Sequence, residues 1–158
     1  MIRLLSVGRV KESWLRQGIE EYRRRISGYE AIELVEVRDE KAPESNSQAE
    51  NTMVKEVEGE RVLKQIREGE YVILLDLDGT CVDSVNLSKR IEQIHTSGKN
   101  RIDFVIGGSL GVSEALRKRA DFRWKLSDNT FPHQLCRLIV LEQIYRAFRI
   151  LNHEPYHK

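Results

Sequence analysis

Apolar and polar positions along the chain alternate between two periods. Ile2 to Val7 is a short apolar run closed by Gly8, the pattern of a buried strand. Leu15, Ile19, Tyr22 and Ile26 then recur along one helical face, with Ser13 as the expected N-cap and Gly28 as the stop. Arg23, Arg24 and Arg25 close this helix where its dipole favours cations. Ala31 to Val37 alternates as a half-buried strand, and the charged, Pro- and Ser-rich stretch from Arg38 to Gln48 predicts a mobile surface loop. A helix is expected from about Ala49 to Arg67, with Met53, Val54, Val57, Leu63 and Ile66 on its inner side and its Glu and Lys residues solvated. Tyr71 to Leu77 is continuously apolar, as in a central parallel strand, and Asp78-Gly79 is expected to turn the chain. Leu87, Ile91 and Ile94 mark a short helix ended at Ser97-Gly98. The strand Ile102 to Ile106 runs into Gly107-Gly108-Ser109-Leu110-Gly111. Ser113 is then expected to cap a helix that has Glu114 early and Lys118 and Arg119 late. Phe122 to Leu126 reads as the last strand and Gln134 to Leu151 as the last helix.

About five strands alternate with five helices, with no internal repeat and no linker. The prediction is one α/β domain over residues 1–158, a mostly parallel sheet flanked by helices in three layers. Ligands of such sheets bind at the carboxyl ends of the strands, which singles out the loops after Leu75, Ile106 and Leu126.

The chain's 158 residues suffice for a real core, and 40% apolar with 32% charged residues is the mix of a soluble globular protein. A net charge of +1 excludes a molecule that coats nucleic acid by bulk charge. Local clusters at Arg23–Arg25 and Arg117–Arg119 are left as candidate phosphate contacts. Cys81 and Cys136 lack paired spacing, which suggests a reducing compartment and no metal cluster. The opening MIRLLSVGRVKESW is too short an apolar run for a signal peptide, and no stretch approaches the ~18–20 apolar residues of a membrane helix, so a cytoplasmic protein without membrane contact is expected.

The loudest short motif is LLDLDGTCVDS, which resembles the first motif of haloacid-dehalogenase-type phosphatases, with Asp76 as nucleophile, Asp78 as acid/base and Thr80 following. No late acidic pair completes such a metal site, Asp121 and Asp128 stand alone, and half the chain precedes the motif. A plain turn after a buried strand is the stronger reading. More chemistry gathers in the last third. Glycines after Ile106 let a ligand approach the backbone, although their spacing is not that of a dinucleotide or phosphate loop. Leu126-Ser127-Asp128-Asn129-Thr130-Phe131-Pro132-His133 offers backbone groups that suit an adenine edge, or is an ordinary strand-to-helix loop. The last helix is apolar nearly all round, which means burial in the core or packing on a second subunit. Its one polar stripe is Glu142, Arg146 and Arg149, bordered by Gln143. The tail ends on Pro155-Tyr156-His157-Lys158, a ring and an imidazole suited to closing over a base.

The runs FVIGGSLG, LSDNTFPHQLCRLIVLEQIYRAF and PYHK, together with LLSVGRVKESW, EYRRRI, DEKAPES and EGERVL, resemble the RlmH family across essentially the whole chain. These are SPOUT-class methyltransferases of large-subunit ribosomal RNA. The resemblance implies a SPOUT α/β-knot fold with a C-terminal trefoil knot, a homodimer, and S-adenosylmethionine as methyl donor. It implies N3 methylation of a pseudouridine in the decoding-region stem-loop of 23S rRNA within assembled ribosomes. Position by position, it implies that Leu75, Gly107 and the run Leu126, Ser127, Asp128, Asn129, Thr130 and Phe131 hold the cofactor. His133, Glu142, Arg146, Tyr156 and His157 fall at polar positions near the transfer centre, and no metal is implied. Relatives tend to carry Gly-Lys where this chain has Gly79-Thr80. A sulfonium methyl donor leaves the enzyme to position the reactants and remove the imide proton. His157 is the preferred base over His133, with Tyr156 positioning the nucleobase and Arg146 contacting phosphate or a base carbonyl. A phosphatase using Asp76 and Asp78, or a ribosome-binding homologue without catalysis, are the competing functions.

Overall fold

The computed structural model describes residues 1–45 and 47–158, so Asn46, within the loop expected at Arg38–Gln48, lies outside the described residues. Ten elements alternate: β1 (Ile2–Val7), α1 (Ser13–Ser27), β2 (Ile32–Val37), α2 (Gln48–Leu63), β3 (Tyr71–Cys81), α3 (Ser84–Thr96), β4 (Ile102–Ile106), α4 (Glu114–Arg119), β5 (Phe122–Lys125) and α5 (His133–Leu151). The five strands form one all-parallel sheet in the order β2-β1-β4-β3-β5. Every strand therefore ends on the same edge, which gathers the loops after β3, β4 and β5.

The two apolar faces of the sheet make two cores. Ile2, Leu4, Ile73, Phe104 and Ile106 meet α1, α3 and α5, whereas Leu5, Val7, Val72, Leu74 and Val105 meet α2 and α4 through Val62 and Leu116. Strand alternation sends neighbouring side chains to opposite faces, so an unbroken apolar run fills both layers. On α5, Val140, Leu141, Ile144, Ala147 and Phe148 are buried, and the helix lies between α1 and α3. Its circumference is thus consumed largely within the chain's own core.

Three local expectations change. Ser13 is the first helical residue of α1 and Glu12 the cap position, with no side-chain cap bond. Side-chain caps form at Ser47 on α2, whose hydroxyl accepts from the Glu50 amide, at Asp83 on α3, which accepts from the Asn86 amide, and, as expected, at Ser113 on α4, which accepts from the Leu116 amide. Met53 and Val57 point to solvent, because α2 buries Glu58, Gly59 and Val62 instead. A Cβ on Gly59 would collide with the Ser113 side chain, so this helix approaches α4 too closely for any other residue. Finally, Asp78-Gly79 does not reverse the chain. β3 runs on to Cys81, and the residues between Leu75 and Thr80 form a bulge, with Trp124 of β5 the register partner of both. Gly79 is required there, since a Cβ would sit 2.6 Å from the Arg123 carbonyl oxygen.

At the opposite, amino-terminal edge of the sheet a charged network is buried. Arg3 Nη1 donates to Glu70 Oε2 at 3.1 Å and to Asp103 Oδ1 at 3.3 Å, and Arg101 donates to Glu70 Oε1 at 3.1 Å. Asp103 is wholly buried and its Oδ2 has no hydrogen-bond partner among the described residues. Burial, followed by the adjoining Glu70, pushes the Asp103 carboxyl up to about 7. Burial also raises Glu70, but the Arg67 amide, Asp103 and the two arginines outweigh it and leave Glu70 below the usual range.

Candidate functional site

The loops after β3, β4 and β5 converge on one cavity of about 660 Å³. Leu75 and Trp124 come from adjacent strands, Gly107 from the turn after β4, and Leu126 and Phe131 from the loop into α5, so the walls are largely apolar. The turn stays tight because Gly107 has no side chain: a Cβ would lie 2.7 Å from Val112 Cγ1 and 2.8 Å from the Gly111 carbonyl oxygen. Gly108 is similarly constrained by the buried Glu58 carboxylate beneath it, 2.7 Å from where its Cβ would be. Of the residues assigned to cofactor binding in the sequence, Leu75, Gly107, Leu126, Ser127, Asn129, Thr130 and Phe131 all line this cavity. Asp128 does not: its carboxylate turns outward to Lys125 Nζ at 2.5 Å.

His133, the first residue of α5, lines the same cavity. Burial and then Arg137 lower its pKa below the ordinary histidine value, so it is neutral at neutral pH. Arg137, buried on the same helix, donates to the carbonyls of Val7 at 2.7 Å and Gly8 at 3.0 Å, which ties the start of α5 to the end of β1.

The other polar candidates form a separate group on the second half of α5 and on the tail beyond it. Arg146 Nε donates to Glu142 Oε1 at 3.0 Å, and Arg146 Nη1 lies 3.3 Å from His157 Nδ1. Tyr156 donates its hydroxyl to Glu142 Oε1 at 3.1 Å and lies 3.4 Å from the Tyr22 hydroxyl, while the Arg146 guanidinium covers its ring at 4.7 Å. The tail is therefore docked onto α1 and α5 rather than frayed. Burial, then the Tyr22 bond and the Glu142 charge, hold the Tyr156 hydroxyl far above its ordinary pKa. The phenol is an orienting donor, not a base. A guanidinium facing His157 Nδ1 makes that nitrogen the acceptor, so the neutral ring carries its proton on Nε2.

The two groups are not in one chamber, but they are neighbours. His157 lines a second cavity of about 540 Å³ whose wall of Trp124, Leu126, Ser127 and Phe131 is shared with the first. Gln143, which lines it too, accepts from Ser84 Oγ at 2.7 Å and donates to Glu142 Oε2 at 2.7 Å, linking it to the Glu142–Arg146 pair.

Asp76, the phosphatase-type nucleophile of the sequence reading, is buried with its carboxylate occupied. It accepts from Arg117 Nε at 3.0 Å, Arg123 Nη1 at 3.3 Å and the Asp78 amide at 3.0 Å. Two guanidiniums neutralise it and each oxygen already accepts at least one hydrogen bond, which does not suit a free nucleophile. The arginines at 23, 24 and 25 pair with Glu20 and Glu21 of their own helix. Lys55 and Arg117 also line the main cavity: in the sequence Lys55 looks like part of a solvated helix face, and Arg117 groups with Arg119 as a candidate phosphate contact.

Comparison with known proteins agrees with the geometry. The family model described as "Predicted SPOUT methyltransferase" matches residues 1–157. Three proteins named ribosomal RNA large subunit methyltransferase H are similar over 157 residues, 99% of this chain and of each relative: from Acetivibrio thermocellus at 48% identity, and from Alkaliphilus oremlandii and Enterococcus faecalis at 50%. An all-parallel sheet with its cavity at the strand ends, a family match along nearly every residue and full-length relatives at this identity agree, and the chain belongs to the SPOUT methyltransferases, in the RlmH family.

Proposed function

We propose that this chain methylates N3 of a pseudouridine in the decoding-region stem-loop of large-subunit rRNA, using S-adenosylmethionine, as a homodimer acting on assembled ribosomes. The names of its full-length relatives support ribosomal RNA as the substrate class. The observation that carries the reading is the convergence of three strand-end loops on one apolar-walled cavity, with an imidazole across a shared wall.

The residues fit the cofactor. A volume of about 660 Å³ lies in the range of small-ligand sites, roughly 300–1,000 Å³. Leu75, Trp124 and Phe131 suit an adenine face, and the backbone of Gly107 and of Leu126 to Phe131 suits its polar edge. When bound, S-adenosylmethionine supplies an activated methyl group on a sulfonium. The chain's own residues exclude water, orient the target and accept its imide proton. Tyr156 and Arg146 orient the nucleobase from beside the second cavity, which His157 and Gln143 line. His157 takes the proton, which requires its ring to turn away from Arg146 so that a basic nitrogen faces the substrate. His133 stays neutral on the cofactor side. Dimerisation is assigned to what α5 leaves half-buried, such as Leu135 and Ile139. The C-terminal trefoil knot follows from family membership, and the β5–α5 connection lies against the loops after β3 and β4, where a threaded chain would cross.

The test is mass mapping of rRNA after incubating undermethylated ribosomes with the protein and S-adenosylmethionine. A single methyl on the decoding-region pseudouridine is expected, and no mass gain on large-subunit rRNA overturns the reading. His157→Ala should bind S-adenosylmethionine as the parent does while single-turnover transfer falls about 100-fold or more. An unchanged single-turnover rate removes the base role.

A further inference from the structure

The main cavity contains a cation that the chain itself does not use. Lys55, on the third turn of α2, is half-buried and lines the cavity, yet its ammonium has no hydrogen bond or ion pair among the described residues. Its neighbours on that wall are already matched. Arg117 is held by Asp76 at 3.0 Å and by Glu114 at 2.7 Å, and Asp76 also takes Arg123. Lys64, at the C-cap of the same helix, has its own partner in Glu60. A half-buried lysine without a carboxylate sacrifices hydration for nothing unless an anion arrives with the ligand.

We infer that Lys55 binds the α-carboxylate of the cofactor's methionine end, so that this chain selects an intact amino-acid tail and not merely an adenosyl group. The inference rests on the reading of the cavity as the S-adenosylmethionine site. Apolar walls and backbone edges at Leu75, Gly107 and Leu126–Phe131 account for the adenosyl part. The amino-acid end carries the only anionic group of that ligand, and Lys55 is the one cationic side chain lining the cavity that lacks a carboxylate partner among the described residues. An ammonium is a point charge on a flexible stem, suited to a carboxylate that enters from solvent, whereas the fixed Arg117 fork is committed to Asp76.

Calorimetric titration of the full chain and of Lys55→Met with three ligands tests this. The ligands are S-adenosylmethionine, its decarboxylated analogue and 5′-methylthioadenosine, and methionine is chosen to retain the apolar stem. The parent should prefer S-adenosylmethionine over the decarboxylated analogue by about tenfold, the scale of one charge-assisted hydrogen bond. Lys55→Met should erase that preference, leave 5′-methylthioadenosine within about twofold, and be partly rescued by Lys55→Arg. An equal loss for all three ligands makes Lys55 a packing residue and overturns the inference. Unchanged cofactor binding with weaker retention of rRNA on filters makes it a phosphate contact, which overturns it equally. Failure of the parent to bind either S-adenosylmethionine or 5′-methylthioadenosine refutes the cofactor reading itself, and the inference with it.

Discussion

Replacing Asp103 by asparagine removes a group whose proton binding changes on folding near neutral pH. In the folded protein its carboxyl is raised to about 7 by burial and by Glu70, whereas an unfolded aspartate titrates near ~3.9. Between those values the native state holds a proton that the unfolded chain has released. Stability contributed by this group is therefore full at low pH, declines as pH rises through that window, and levels off above about 7. The slope for one proton is about 1.4 kcal/mol per pH unit. From pH 5 to pH 7 the parent should thus lose roughly 2–3 kcal/mol relative to Asp103→Asn, a large share of a typical stability of about 5–15 kcal/mol. Asparagine is nearly isosteric and can still accept from Arg3 and donate to Glu70, so the network remains connected. Urea denaturation of both proteins at several pH values measures the effect, and titrating groups that do not interact with Asp103 cancel in the difference; Glu70, its neighbour, titrates with it as one pair. A gap that stays flat from pH 5 to pH 7 would refute the argument, whatever the absolute stabilities.

Two further substitutions probe the site. Gly107→Ala places a methyl 2.7 Å from Val112 Cγ1. Opening the turn should cost about 1–3 kcal/mol and weaken cofactor binding by a similar factor, read by thermal melting and calorimetry; wild-type values in both would show that the turn is not tight. Tyr156→Phe removes the donor to Glu142 and the contact with Tyr22, a loss of about 1 kcal/mol. Transfer to ribosomes should slow while S-adenosylmethionine affinity stays within about twofold, and an affinity that falls in step with the rate would place Tyr156 at the cofactor instead.

Much of this architecture is legible in the chain because burial imposes period. Ile2 to Val7, Ile102 to Ile106 and Tyr71 to Leu75 read as buried strands for the reason they are ones: helices cover both faces. That the loops after β3, β4 and β5 gather at one edge follows from the parallel sheet alone. What period cannot carry is contact between like-looking charges. Arg3 and Asp103 sit inside apolar runs and pair across adjacent strands, which no local pattern announces. Glu58 and Gly59 are the inner face of α2 although Met53 and Val57 are the more hydrophobic choice, because the close approach to Ser113 needs an absent side chain. Lys55 was hidden for a related reason: a cation on a charged helix looks solvated until the wall it faces is known. The docking of Tyr156 on Tyr22 joins opposite ends of the chain and is settled only by how α5 lies against α1.

The bulge in β3 divides that strand into mechanically different parts. Tyr71 to Leu74 is bonded to β4, and Ile73 to Leu75 to β5, whereas Thr80 and Cys81 pair with β5 alone and Leu77 and Asp78 face solvent between them. The outer segment forms a rim of the cavity but bears little of the core's load. Substitutions at the exposed Leu77, Asp78 and Thr80 should therefore cost little stability, whereas Gly79 between them has no room for a side chain. Sequence change at those lip positions is thereby uncoupled from the buried strand pairs that form the cavity floor.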